Sequence, residues 1–253
     1  MKWHVLSGGR LRMRKGVYFP DASRDETIDL PVICHLLRHP QGNVLFDTGC
    51  HPDIAIDPLP RWGDKSKVLV PLQGPRDNVI DELALLGLGP LDIDLVVNSH
   101  LHTDHCGCNA FFKNATVVCH ARELETARAE LGPKIGMMPI DWDQPMPFDT
   151  FEGERDLFND GRIVLLPMPG HTPGMSCAMV SLDRAGTVLL TSDAVALRAN
   201  MEQGIHPRQT WDHDAASRSM DEIRRIGERG ATVIFGHDEQ QWQGLRKGVA
   251  FYD

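Results

Sequence analysis

The chain has 253 residues, 42% of them apolar, with 35 acidic against 26 basic side chains for a formal net charge of −9. That balance argues against nucleic acid or an anionic membrane as partner, since both need concentrated Lys and Arg, and it favours a small neutral substrate. No apolar run approaches the roughly 20 residues that span a bilayer, and the opening Met1-Lys2-Trp3-His4-Val5 leads into glycines and arginines without the apolar core of a secretory signal, so with Met1 as the start the chain reads as cytoplasmic. Apolar content runs from end to end without a linker tract, which predicts one domain over 1–253, as a monomer or a homodimer. Six cysteines are too sparse for a disulfide framework and most read as reduced and buried; for Cys106 and Cys108 packing is favoured over the competing role of thiolate ligand, since better ligands surround them.

In chain order, Arg10, Arg12 and Arg14 alternate with apolar neighbours, as on a solvated strand face. Short runs of Val, Ile and Leu predict buried strands at 31–37, 44–46, 95–97, 116–119, 163–168, 188–190 and 232–235. Between them Val79, Ile80, Leu83 and Leu86 share a helical face, as do Ala121, Leu124, Ala127 and Leu131. Met220, Ile223 and Ile226 form a third face, capped by Asp212 or Asp214. The segment 133–151 is rich in Pro, Met and aromatics without a clear period and reads as a lid or insertion. Met137, Met138, Ile140, Trp142 and Phe148 are expected to form one wall of an apolar substrate pocket, with core packing as the competing use.

Two strands end in polar residues, Val44-Leu45-Phe46-Asp47-Thr48-Gly49 and Val188-Leu189-Leu190-Thr191-Ser192-Asp193. Two more end in histidine, at Val96-Val97-Asn98-Ser99-His100 and Val233-Ile234-Phe235-Gly236-His237. Two α/β halves packed face to face would gather these polar ends along one edge, where a site can form. The densest signal is His100-Leu101-His102-Thr103-Asp104-His105, three imidazoles and a carboxylate directly after a strand. Along the strand's run-out His100 and His102 share a face, while Asp104 and His105 follow where the chain turns, within reach of a second ion. Imidazole with carboxylate suits a borderline divalent ion: zinc first, with iron, manganese or cobalt also accepted. His171, Asp193 and His237, each after its own strand, are further candidates.

The H-x-H-x-D-H motif, Pro169-Gly170-His171-Thr172-Pro173-Gly174, the late Asp193 and the terminal His237 together resemble the metallo-β-lactamase superfamily. The resemblance implies an αββα sandwich of two mixed sheets flanked by helices. It also implies two metal ions, one on His100, His102 and His171, the other on Asp104, His105 and His237, with Asp193 bridging. Asp47 matches a residue that braces the histidine loop. The absence of an export signal, of an added helical domain in the sixteen residues after His237, and of basic modules sets aside the secreted β-lactamases, glyoxalase II and the nucleases. Leu30-Pro31-Val32, Leu45-Phe46-Asp47-Thr48-Gly49-Cys50-His51-Pro52 and Gly236-His237-Asp238 with Gln241-Trp242 are similar to the acyl-homoserine lactonase branch.

What that branch implies is quorum-quenching lactone opening by attack of a metal-activated water, with Asp193 holding both ions and Asp104 carrying the proton to the leaving alkoxide. Another neutral ester, such as a phosphotriester or aryl ester, is the nearest alternative, and a non-catalytic metal-binding regulator is the alternative from another class. One departure stands out: many members of the branch carry a tyrosine three residues after the bridging aspartate, where this chain has Ala196. Tyr18 and Tyr252, its only tyrosines, are remote in sequence. The expected substitutes for the phenol are therefore the metal or a hydroxyl, imidazole or water from elsewhere, His206 and His213 being the nearest imidazoles.

Overall fold

The computed structural model describes residues 1–253. Seven strands form the first sheet: β1 (Lys2–Arg14), β2 (Thr27–His39), β3 (Gly42–Phe46), β4 (Val70–Pro71), β5 (Leu95–Val97), β6 (Thr116–His120) and β7 (Phe148–Phe151), in the spatial order β4-β1-β2-β3-β5-β6-β7. Five form the second: β8 (Arg155–Asp156), β9 (Ile163–Pro167), β10 (Ser176–Leu182), β11 (Gly186–Leu190) and β12 (Thr232–Ile234), ordered β12-β11-β10-β9-β8. Both sheets are mixed. The β1–β2–β3 ladder is antiparallel and β3, β5, β6 and β7 run parallel; β12 lies parallel to β11 in an otherwise antiparallel sheet.

The strand period of two sorts side chains between layers. Ile33, Leu37, Val44, Phe46, Val97 and Val118 meet Leu165, Val180, Val188, Leu190 and Ile234 of the facing sheet in the central core. Their neighbours point outward: Leu36, Leu45, Val96 and Val117 pack under Val79 and Leu83 of the helix Val79–Leu85, and Leu166, Cys177 and Leu189 pack under Met220 and Ile223 of the helix His213–Glu228. The result is helix, sheet, sheet, helix. Asp212 caps the last of these helices by accepting from the Ala215 amide at 2.9 Å. All six cysteines are buried and unbridged.

β1 is longer than its sequence announces. Gly8-Gly9 interrupts its alternation at a register shift between Ser7 and Gly9. The glycine at 8 serves a crossing, because a Cβ on Gly49 (φ 71°) would sit 2.5 Å from the Gly8 Cα. Only two bare α-carbons let β1 pass over the loop that follows β3.

The segment 133–151 differs from the expected lid. It folds into the body of the protein as the end of a short helix (Leu131–Ile135), a one-turn helix (Pro139–Trp142) and β7. Met137 and Trp142 are buried among Leu101, Cys106, Cys119, Leu124 and Ala127, and Phe148 packs beside them. Trp142 is 4% exposed and Ile140, at 45%, faces outward.

Candidate metal centre

Seven buried or half-buried side chains converge where the strands of both sheets end. The loop after β5 carries His100 and His102, and His102 opens the one-turn helix Thr103–Cys106 that presents Asp104 and His105. From the second sheet come His171 after β9, Asp193 in the tight turn after β11, and His237 after β12. Gly170 lets the His171 loop lie against the helix His213–Glu228: its φ is +148° and a Cβ there would fall 2.4 Å from the Ala216 backbone.

The seven fall into two groups whose candidate ligand atoms lie within 4.8 Å of one another: His100, His102, His171 and Asp193 in one, Asp104, His105 and His237 in the other. In the first, Nε2 of His100 and Nε2 of His171 each stand 3.0 Å from Nδ1 of His102. In the second, Asp104 Oδ2 lies 3.6 Å from His105 Nε2 and 3.7 Å from His237 Nε2. Asp193 faces both. Its Oδ2 is 3.2 Å from His171 Nε2, and its Oδ1 is 2.9 Å from His237 Nε2 and 3.6 Å from His105 Nε2.

Donor chemistry and burial fit a pair of divalent ions. Burial, with repulsion among the rings, holds the His100 and His102 pKa values well below normal, and burial lowers that of His171 too, so these rings are neutral and their lone pairs free. Burial also opposes protonation of His105 and His237. Asp104, Asp193 and Asp47 outweigh it at His105 and raise its pKa to about 10; Asp193 and Asp104 raise that of His237. Such rings bind either a proton or a cation next to the carboxylates, and Nε2 of His105 is buried without any hydrogen-bond partner.

A second layer fixes each ring. His237 Nδ1 lies 2.8 Å from the Pro31 carbonyl on β2, so it carries the proton and leaves Nε2 free. Asp47, in the left-handed region at φ 60°, takes His105 Nδ1 at 2.9 Å, the Ser99 amide and hydroxyl at 2.8 Å each and the Ser192 hydroxyl at 3.1 Å. Two braces lie outside the sequence reading. Glu123 is fully buried; it accepts from the Leu101 amide at 3.0 Å and from the Thr172 hydroxyl and Gly174 amide at 2.9 Å each, which ties the His102 loop to the His171 loop. Burial raises its pKa to about 7. Asp141, held by Arg61, accepts from Thr103 at the start of the ligand helix, and Trp62 donates to the same Thr103 hydroxyl. Nothing local in the sequence marks either acid, because each becomes a brace only through contacts 22 to 80 residues away in the chain.

A cavity of about 850 Å³ opens onto His102, Asp104, His171 and Asp193. Its apolar wall is Met13, Val17, Leu30, Val68, Leu69 and Ile135. Of the expected wall residues Met137, Met138, Ile140, Trp142 and Phe148, none lines it; the segment 133–151 contributes only Lys134, Ile135 and Gly136. Met137, Trp142 and Phe148 pack into the core instead, and Ile140 faces outward. Ala196 is buried (2% exposed) and packs in one cluster with Tyr18. Tyr18 does line the cavity, and its hydroxyl makes no hydrogen bond to another protein group. Asn200 holds the Tyr18 carbonyl at 3.0 Å, and the Arg208 amide holds that of Val17 at 2.8 Å. His206 bonds Ser217 at 2.9 Å, and neither it nor His213 lines the main cavity. No helix is long and apolar enough to cross a membrane.

The family profile described as the metallo-beta-lactamase superfamily matches residues 27–237. The N-acyl homoserine lactonase AttM of Azorhizobium caulinodans is 29% identical over 260 residues, which cover 100% of this chain and 99% of that one. The N-acyl homoserine lactonase AiiB of Agrobacterium fabrum is 34% identical over 244 residues, covering 89% and 86%. Among solved structures, an N-acyl homoserine lactone hydrolase with N-hexanoyl-L-homoserine bound at its catalytic metal centre superposes with a TM-score of 0.89 at 25% identity, covering 99% of this chain and 98% of that one.

Proposed function

The chain belongs to the metallo-β-lactamase superfamily, and from that premise we propose that it is a lactonase that opens the ring of N-acyl homoserine lactones at a two-metal site. The observation that carries the reading is Asp193, whose two carboxylate oxygens face two separate histidine groups at the floor of an apolar-walled cavity. His100, His102 and His171 would hold one ion, Asp104, His105 and His237 the other, and Asp193 both. The mixed imidazole and carboxylate set favours zinc. What such a pair supplies when bound is a water acid enough to furnish hydroxide at neutral pH and a Lewis acid for an ester carbonyl.

The remaining work falls to the chain's own side chains. Asp104 is the one carboxylate of the second group that lines the cavity, so it is placed to carry a proton to the alkoxide that leaves as the ring opens. Tyr18 offers the scissile carbonyl oxygen a hydrogen bond, the task that Ala196 cannot perform. Burial, reinforced by Asp193 and Asp104, raises the phenol pKa well above normal, so it stays protonated and remains a donor. Met13, Leu30, Val68 and Leu69 take the acyl chain and keep water from it.

Hydrolysis by metal-loaded protein of N-acyl homoserine lactones, beside a pyridoxolactone, a phosphotriester and a β-lactam, tests the reading. The homoserine lactones should give the highest kcat/KM. A phosphotriester or β-lactam turned over faster would overturn it.

A further inference from the structure

Apart from the candidate ligands Asp104 and Asp193, every charged side chain lining the cavity is a cation: Arg14, Arg24, Lys65, Lys134 and Arg208. This is the reverse of the chain as a whole, which carries nine more acids than bases. Elsewhere on the surface Arg10, Arg12, Lys15, Arg155 and Arg162 each hold a carboxylate at 2.5–2.9 Å, while Arg76 and Arg128 stand unpaired singly rather than around a cleft. Among the five at the cavity only Lys134 has an acid within 4 Å, and that contact, to Glu130, measures 3.9 Å. Lys65 is the most telling. It is partly buried, makes neither a hydrogen bond nor an ion pair, and its Nζ reaches the space beside Gly136 and the His102 ring.

A neutral acyl-homoserine lactone has no group that needs these charges. We propose that the substrate is an anionic lactone, one whose acyl portion ends in a carboxylate that the cavity's cations receive while the ring lies over the metal site. This rests on the lactonase reading above and narrows it to a substrate class. A single exposed ion pair contributes little. Several unpaired cations converging on one guest in a cleft raise its local concentration and hold it in register.

The probes are N-(ω-carboxyacyl) homoserine lactones of graded chain length, each paired with the neutral N-acyl homoserine lactone of equal length. The variants are Arg24→Gln and Arg208→Gln, alone and together; both side chains are exposed and neither has a protein partner to lose. The carboxylated member should lead in kcat/KM by about tenfold or more at its best length, and the lead should collapse in the double variant and in high salt. Turnover of the neutral member should stay within about twofold. The corresponding homoserine lactams, which resist ring opening, give a second readout by calorimetry on metal-free protein, where the carboxylated lactam should bind tighter by the same factor. Equal or better handling of the neutral members, or a lead that survives the double variant, overturns the proposal. Should no homoserine lactone be hydrolysed at all, the lactonase reading fails separately, and the lactam pair with carboxylated and neutral aryl esters still decides the charge preference.

Discussion

Asp47→Asn isolates what the brace beneath the metal site contributes, because asparagine is isosteric and tolerates the left-handed φ of 60° found there. The native carboxylate serves four donors: the Ser99 amide on Oδ1, and the Ser99 hydroxyl, the Ser192 hydroxyl and His105 Nδ1 on Oδ2. An amide has one accepting oxygen. If that oxygen keeps the Oδ2 position, the new NH₂ faces the Ser99 N–H across 2.8 Å, and a buried donor is stranded at a cost of about 1–3 kcal/mol. If the amide flips, the NH₂ faces His105 Nδ1, the ring proton must move to Nε2, and the ring can no longer ligate. The first orientation therefore holds in loaded protein. His105 also loses a full negative charge behind it, and loss of such an outer partner lowers metal affinity about 10–100-fold.

Denaturant unfolding of metal-free protein reads the stability cost, and competition with a chromophoric chelator reads the affinity. The affinity loss should concern one of the two ions, that held by Asp104, His105 and His237. A variant that keeps both affinities within about twofold, or loses both equally, would refute the assignment of Asp47 to His105.

Three further outcomes follow. Glu123→Gln sets an NH₂ against either the Leu101 amide or the Thr172 and Gly174 donors, so unfolding free energy should fall by about 1–3 kcal/mol; an unchanged midpoint with unchanged metal affinity would show that the two ligand loops hold without it. Trp142→Ala should destabilise by roughly 3–5 kcal/mol while KM across acyl-chain lengths stays put, since the indole fills the core rather than the cavity; a KM that changes with chain length would contradict its placement. Tyr18→Phe removes a hydroxyl that bonds nothing in the protein, so stability should hold within about 0.5 kcal/mol while kcat falls by about 10²-fold; an unaltered kcat would rule the phenol out as a donor to the substrate.

The sequence was most readable where one period ran unbroken. Leu95–Val97 and Gly186–Leu190 are strands whose apolar runs need no help from elsewhere, and the helix His213–Glu228 shows its buried stripe in Met220 and Ile223. The seven candidate ligands were legible too, because each follows such a strand, and metal chemistry leaves dense residue types at short spacing. Three things were not. The first half of β1, Lys2 to Gly9, hides behind Gly8-Gly9, whose reason is a crossing with Gly49 that no local pattern encodes. β10, Ser-Cys-Ala-Met-Val-Ser-Leu, has no long apolar run, yet its neighbours in the sheet bury it.

The cavity was misplaced for a related reason. Met137, Trp142 and Phe148 have the composition of a pocket wall and of a core alike, and only packing against Leu101 and Leu124 decides for the core. Tyr18 is the instructive omission. It stands 175 residues from Asp193 in the chain, and only the β1–β2 hairpin turning back over the second sheet's loops brings it to the cavity.

The segments that wall the cavity, Met13 to Arg24, Lys65 to Leu69 and Lys134 to Gly136, hold none of the seven candidate ligands. Apart from Tyr18, metal holding and guest selection are thus written in separate stretches of the chain. The hairpin tip can be rewritten, lengthened or recharged apart from the ligand loops, whereas the turn at Gly136 lies against the His102 ring, so relatives with the same strand ends are freest to diverge at the tip. For a protein engineer this makes the hairpin tip around Arg24 the place to randomise when a new guest is wanted, with Tyr18 and the strand-end loops left untouched.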